Sequence, residues 1–222
     1  LQWFYNQEGI CASNHFEAGG FIRTKAGIKH PNIQYHFLAG AVECQEDIKS
    51  EHAFQAHCGT MRPKSRGYVK LQSKDPRMSP LIEPNYLKEL EDVEELIDGI
   101  RLTQEIFAQN SFNDYVSHLI FPKSDNYSDN ELEGIIRNHV ESAYHPSSTC
   151  AIGKVVDKDC IVYGTNNLRV VDASVMPSLV SGNLNAPTIM IAEKISDKIL
   201  NNEPLKEDKD YFVNSEWRTK QR

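Results

Sequence analysis

Three prolines, Pro76, Pro80 and Pro84, fall close together and divide the chain into two kinds of sequence. Proline has no backbone N–H and disfavours helix at the residue before it, so residues 75–84 are expected as an extended loop. Before them the pattern is strand-like. FEAGGFIR (Phe16–Arg23) reads as a strand with a glycine pair, which weakens it unless a backbone or ligand approaches closely. NIQYHFL (Asn32–Leu38), Ala53–Met61 and GYVKLQS (Gly67–Ser73) suggest an antiparallel sheet with one face covered. From Lys88 the period changes. Leu90, Val93, Leu96, Ile97, Ile100 and Ile106 recur at helical spacing, with acidic residues crowding the first turns. The expected class is α+β, a mostly antiparallel sheet backed by helices.

Asn113–Phe121 reads as a short second helix or turn. Ser128-Asp129-Asn130-Glu131 resembles a capped helix start, followed by apolar Leu132, Ile135 and Ile136. That helix should end near His139–Ser142, and a reversal there delivers Tyr144 and His145. Residues 153–164 read as a loop with a short strand, CIVY, and NLRVVD (Asn167–Asp172) as a fully buried strand. Pro187 suits the first turn of a helix whose buried face is Ile189, Ile191, Ala192, Ile195, Ile199 and Leu200. From Asn201 the chain is polar and is expected to wrap the surface. Trp3, Phe4 and Tyr5 are expected as core anchors.

Bulk properties exclude several functions. A net charge of -7 over 222 residues argues against a nucleic-acid partner. The five cysteines are odd in number and lack ligand spacing, which argues against a disulfide scaffold or structural zinc and for a reducing compartment. His30, His36, His52 and His57 match no metal motif and read as surface or satisfied strand histidines. No apolar run approaches the roughly 18 residues of a membrane span. The chain opens on Leu1 and is read as a fragment of a longer polypeptide. It holds no GxGxxG, no P-loop and no GxSxG elbow, which disfavours a His/Ser hydrolase.

Site-building residues concentrate in one stretch. YHPSSTCAIG begins at Tyr144, and NLRVVDASVMPSLVSGNLNAPTIMIAEK runs on to Lys194. Polar residues crowd where the chain turns, and apolar segments hold them on both sides. His145 is the natural proton acceptor there, since its ordinary pKa of about 6.5 lies near neutrality.

HPSST, VVDASVMP and NLNAPT in this order are a specific signal, and FEAGGFIR, RGYVKLQS, PLIEPNYL and TQEIFAQ extend it. The chain resembles the C-terminal part of the glucose-methanol-choline (GMC) flavin oxidoreductases. The resemblance implies FAD as cofactor, bound mainly by a Rossmann-type half that this sequence does not contain. It implies residues 1–140 as part of a substrate domain, 141–200 as the C-terminal strand-helix segment of an α/β FAD-binding domain, and 201–222 as a surface tail.

It also implies roles. His145 matches the family's catalytic histidine, and Asn183 its second catalytic residue. Asp172 and Ala173 fall beside the cofactor, and Asn185, Pro187 and Thr188 at the flavin-ring end. Tyr144 lines the pocket, and Glu17 matches a carboxylate suited to a cation. Aromatic faces plus a carboxylate are the physical means of recognising a trimethylammonium group. Within the family the resemblance is to the choline-oxidising members, which implies choline as substrate and a membrane electron acceptor such as quinone. Eukaryotic members of that kind sit at the mitochondrial inner membrane, and that location is expected here. The alternatives are another alcohol dehydrogenase or oxidase of the family, or a non-catalytic interaction fragment. Two departures touch pocket detail: CAIG (Cys150–Gly153) replaces the commoner CKMG, and the loop from Lys154 to Cys160 is short.

Overall fold

The computed structural model describes residues 2–16, 18–41, 52–206 and 210–221. Its elements are α1 (Gln2–Asn6), β1 (Ala18–Ile22), β2 (Ile33–Leu38), β3 (Gln55–Thr60), β4 (Tyr68–Lys70), β5 (Leu81–Glu83), α2 (Leu90–Phe107), α3 (Asp129–His139) and α4 (Asn185–Leu200), with short 3-10 turns between them. The α+β class with antiparallel sheets stands. The chain forms two compact units: residues 1–60, 90–140 and 217–222, and residues 61–89 and 141–216.

In the first unit β1, β2 and β3 form an antiparallel sheet in that order. Side chains alternate between faces along a strand. Ile33, Tyr35 and Phe37 therefore share one face with Ala56 and Cys58, and Leu102 and Ile106 of α2 pack against it. Gly99 faces the sheet at Ile33 and Cys58. A methyl group there would lie 3.2 Å from Ile33 Cδ1. The buried Tyr35 hydroxyl donates to Gly99 O (2.9 Å) and receives a hydrogen bond from Thr103 (3.1 Å). On the opposite face His36 and His57 stand directly across from each other, each bonded to a glutamine of its own strand, Gln34 or Gln55. α3 opens with a capping box: Glu131 N donates to Ser128 Oγ, and Ser128 N donates back to the Glu131 carboxylate.

The second unit begins with the β4–β5 hairpin. GYVKLQS thus pairs with residues inside the proline-rich loop and does not join β2 and β3. Pro80 and Pro84 flank β5 and confine it to Leu81–Glu83, since proline cannot donate to a ladder. Gly67 admits no side chain, because a Cβ would meet Glu83 O at 2.1 Å. The unit's core is Val156, Cys160, Val175 and Ile195, with Val162, Val170, Val171 and Ile191 around it.

Three further expectations differ. NLRVVD forms no named strand; Arg169 makes a single bridge to Ile161, and Leu168 is 53% exposed. Val170 and Val171 still enter the core, so apolar content set burial without a partner strand to extend the pairing. CIVY is likewise reduced to single bridges at Ile161 and Val162. Trp3, Phe4 and Tyr5 lie exposed on α1, which buries no residue among those described. Phe4 and Tyr5 meet each other edge to face.

Candidate active site

His145 is presented by a turn under backbone constraint. Tyr144 (φ 58°) and Ser148 (φ 72°) both take left-handed conformations. For a bulky aromatic residue this is uncommon, and such positions cost on the order of 1–3 kcal/mol. Local bonds hold the turn. Tyr144 N donates to Ser142 Oγ at 3.0 Å, and the Ser147 and Ser148 hydroxyls lie 3.1 Å apart. Beyond the turn, Cys150 N donates to Ser174 O and Ile152 N to Val175 O, both at 2.9 Å; Ser148 N reaches Ala173 O at 3.4 Å. The segment that follows His145 is consequently anchored on the 3-10 turn Ala173–Val175.

Asp172 starts that turn. Its Oδ1 accepts from Ser174 N (2.8 Å) and from the Ser174 hydroxyl, the bonding of an N-cap residue. The conformation of Ala173 is therefore set by the carboxylate before it. Two buried residues follow, Val175 and Met176, which fix the turn against the core.

The second side of the site comes from the start of α4. Asparagine is a favoured N-cap, and either Asn183 or Asn185 could have served. The structure places buried Leu184 there instead, with no side-chain cap. Leu184 O accepts from Thr188 N (2.9 Å) and from the Thr188 hydroxyl (2.6 Å). Asn183, released from capping, donates through Nδ2 to His145 Nε2 at 2.8 Å. An amide nitrogen can only donate, so in this orientation Nε2 is the accepting member of the pair. A hydroxyl oxygen set against this pair would be within hydrogen-bond reach of both side chains.

Of the residues expected from the sequence, His145 and Asn183 meet directly. Asn185, Pro187 and Thr188 share the first turn of α4, and Asp172 and Ala173 form the turn laced to the histidine segment. Tyr144 adjoins His145, but its side chain is 85% exposed and makes no ring contact among the described residues. Glu17 lies outside the described residues. Two positioning features were not foreseen: the lacing of 148–152 onto 173–175, and Leu184 as cap. Both depend on backbone pairing, and no residue type signals them.

Farther along α4, Lys198 pairs with Asp159 and holds its carboxyl below the usual carboxylate range. This pins the loop carrying Cys160 to the helix.

The family model for GMC oxidoreductases matches residues 63–192. Curated relatives include an oxygen-dependent choline dehydrogenase of Pseudomonas putida, 51% identical over 92% of this chain and 37% of the relative. Proteins of the same name from Ectopseudomonas mendocina and Yersinia pseudotuberculosis are 49% and 48% identical, over 97% and 96% of this chain and 39% of each relative. The chain thus spans about two fifths of the length of these relatives. Among solved structures, pyridoxine 4-oxidase from Mesorbium loti superposes with a TM-score of 0.76 at 26% identity, covering 86% of this chain and 39% of that one. A formate oxidase of Aspergillus oryzae, described for its FAD modification, gives 0.81 at 24% identity over 90% and 40%, a likeness of fold. These relatives correct one expectation: the choline dehydrogenases are bacterial, and bacteria have no mitochondria, so the mitochondrial placement falls. No described helix is long and apolar enough to cross a membrane. The match extends over more than half of the residues, and the chain belongs to the GMC oxidoreductase family.

Proposed function

We propose that this chain is the C-terminal portion of an FAD-dependent choline dehydrogenase, which oxidises choline to betaine aldehyde in glycine betaine synthesis. The observation that carries the reading is the His145–Asn183 pair, in a chain 48–51% identical to proteins of that name. His145 Nε2 takes the hydroxyl proton of the alcohol. Asn183 Nδ2 turns from the imidazole to the oxygen as it becomes an alkoxide, an uncharged donor aimed at developing charge. Tyr144 and Glu17 serve the trimethylammonium end; the exposed ring of Tyr144 is available to a cation.

The donor set of this chain fits FAD. α4 lacks a side-chain cap, so the N–H groups of Asn185 and Ala186 point out of the helix at its positive end. Pro187 adds no further N–H. Such an end suits an electron-rich carbonyl edge of a flavin ring, with Asn185, Pro187 and Thr188 against it and Asp172 and Ala173 on the neighbouring turn. When bound, the flavin supplies the acceptor for the hydride from the alcohol carbon.

The electrons would leave to a membrane acceptor such as quinone. The relatives' names favour oxygen as a second reading of the acceptor. A second reading of the substrate is another alcohol, favoured by the likeness to pyridoxine 4-oxidase. The test uses protein of the full length shared by the relatives, loaded with FAD. Choline should bleach the flavin absorbance far faster than ethanol or pyridoxine, and equal rates would remove choline as the substrate.

A further inference from the structure

The loop between β1 and β2 receives a distant piece of the same chain. Gly27 N donates to Trp217 O at 3.0 Å, and Arg23 Nη1 donates to the same carbonyl at 3.0 Å. Gln221 Nε2 returns a hydrogen bond to Arg23 O at 2.9 Å. Arg23 is held from both its ends, and Trp217 is partly buried although most neighbouring residues are exposed. Arg218 lies over the Trp217 ring, 5.3 Å from its centre.

The receiving loop is braced by bonds of its own. Gly27 takes φ +85°, a conformation other residues rarely adopt, and this turns its N–H toward the incoming carbonyl. Asn32, itself buried, braces the loop. Its backbone N donates to Ile22 O, its Oδ1 accepts from Thr24 N, and its Nδ2 donates to Thr24 Oγ1 and to Glu95 of α2. An open cavity of about 230 Å³ remains beside the contact, lined by Phe21, Ile22, Arg23, Pro31 and Gln221.

We propose that residues 217–221 form an intramolecular strap, latched by Arg23 to a cleft at the end of β1. The segment is an integral part of the first unit, reached by chain that leaves α4 at Leu200. Arg23 suits the latch because the two N–H groups of its Nη1 can serve Trp217 O and Ile28 O (3.4 Å) together.

The sequence has two tryptophans, Trp3 and Trp217, so Trp3→Phe in the whole chain leaves Trp217 as sole reporter. On that background, acrylamide quenching of Trp217 and hydrogen exchange at the Gly27 amide are measured for the parent, Arg23→Ala and Gln221→Leu, with β2 amides as the control for folding. The strap requires a shielded Trp217 and a protected Gly27 in the parent. Each substitution should then lower Gly27 protection about tenfold or more and raise quenching, with β2 amides unchanged. Should Arg23→Ala also unprotect β2, Gln221→Leu decides. Free quenching of Trp217 in the parent, or Gly27 protection untouched by Gln221→Leu, would overturn the proposal.

Discussion

Asn183 meets His145 just before a helix start that a leucine, not an asparagine, occupies. Nδ2 of Asn183 stands 2.8 Å from Nε2 of His145, while Leu184 starts α4 without a side-chain cap. One arrangement leaves two resources: an amide aimed at the imidazole, and a helix start whose N–H groups look outward.

Replacing Asn183 by Ala should keep the fold, since the residue is exposed and precedes the helix. It removes the donor to the developing alkoxide and should lower the rate of flavin reduction about 10²–10³-fold, read by stopped-flow absorbance. A drop in apparent affinity alone would place Asn183 in binding.

Gly67→Ala should damage the hairpin severely. The added methyl would lie 2.1 Å from Glu83 O and 2.7 Å from Pro84 Cα, both backbone atoms that cannot swing away. A loss of about 2–3 kcal/mol is expected in denaturant unfolding, with exchange at Val69 and Ile82 among the first to rise.

Ser128→Ala should cost about 1 kcal/mol by removing the cap from α3. Glu131→Gln is the gentler change, because an amide oxygen can still accept from Ser128 N. Thermal unfolding should rank Ser128→Ala below Glu131→Gln.

Glu95 gives the pH prediction. Burial pushes its carboxyl above the usual carboxylate range and Asp92 and Asp98 add to this, while the Asn32 hydrogen bond opposes it. Between the ordinary pKa of 4.5 and the raised one, the folded state binds more protons than the unfolded state. Stability from this group is therefore present below 4.5 and is lost as pH rises through the raised pKa. Glu95→Gln keeps an acceptor for Asn32 and carries no charge. It should flatten the decline of stability above pH 4.5, checked by urea unfolding across pH; an unchanged slope would assign the decline elsewhere.

Much of this was legible from residue pattern. The α2 period, the Ser128 cap and the proline at the start of α4 are local signals, and each element formed where its signal lay. Pairing was less legible. GYVKLQS reads as a strand, but nothing in it says that Leu81–Glu83 is its partner. NLRVVD has the composition of a buried strand and becomes irregular chain, because burial of Val170 and Val171 needs no ladder. The His145–Asn183 contact joins residues 38 apart, a pairing that residue type alone leaves open.

The central claim is that His145 takes the alcohol proton. Its most direct test is choline-driven flavin bleaching by the His145→Gln variant in FAD-loaded protein of the full length shared by the relatives. The account predicts bound flavin with a normal spectrum and a reduction rate lower by about 10²–10⁴-fold. Reduction at close to the parent rate would contradict it.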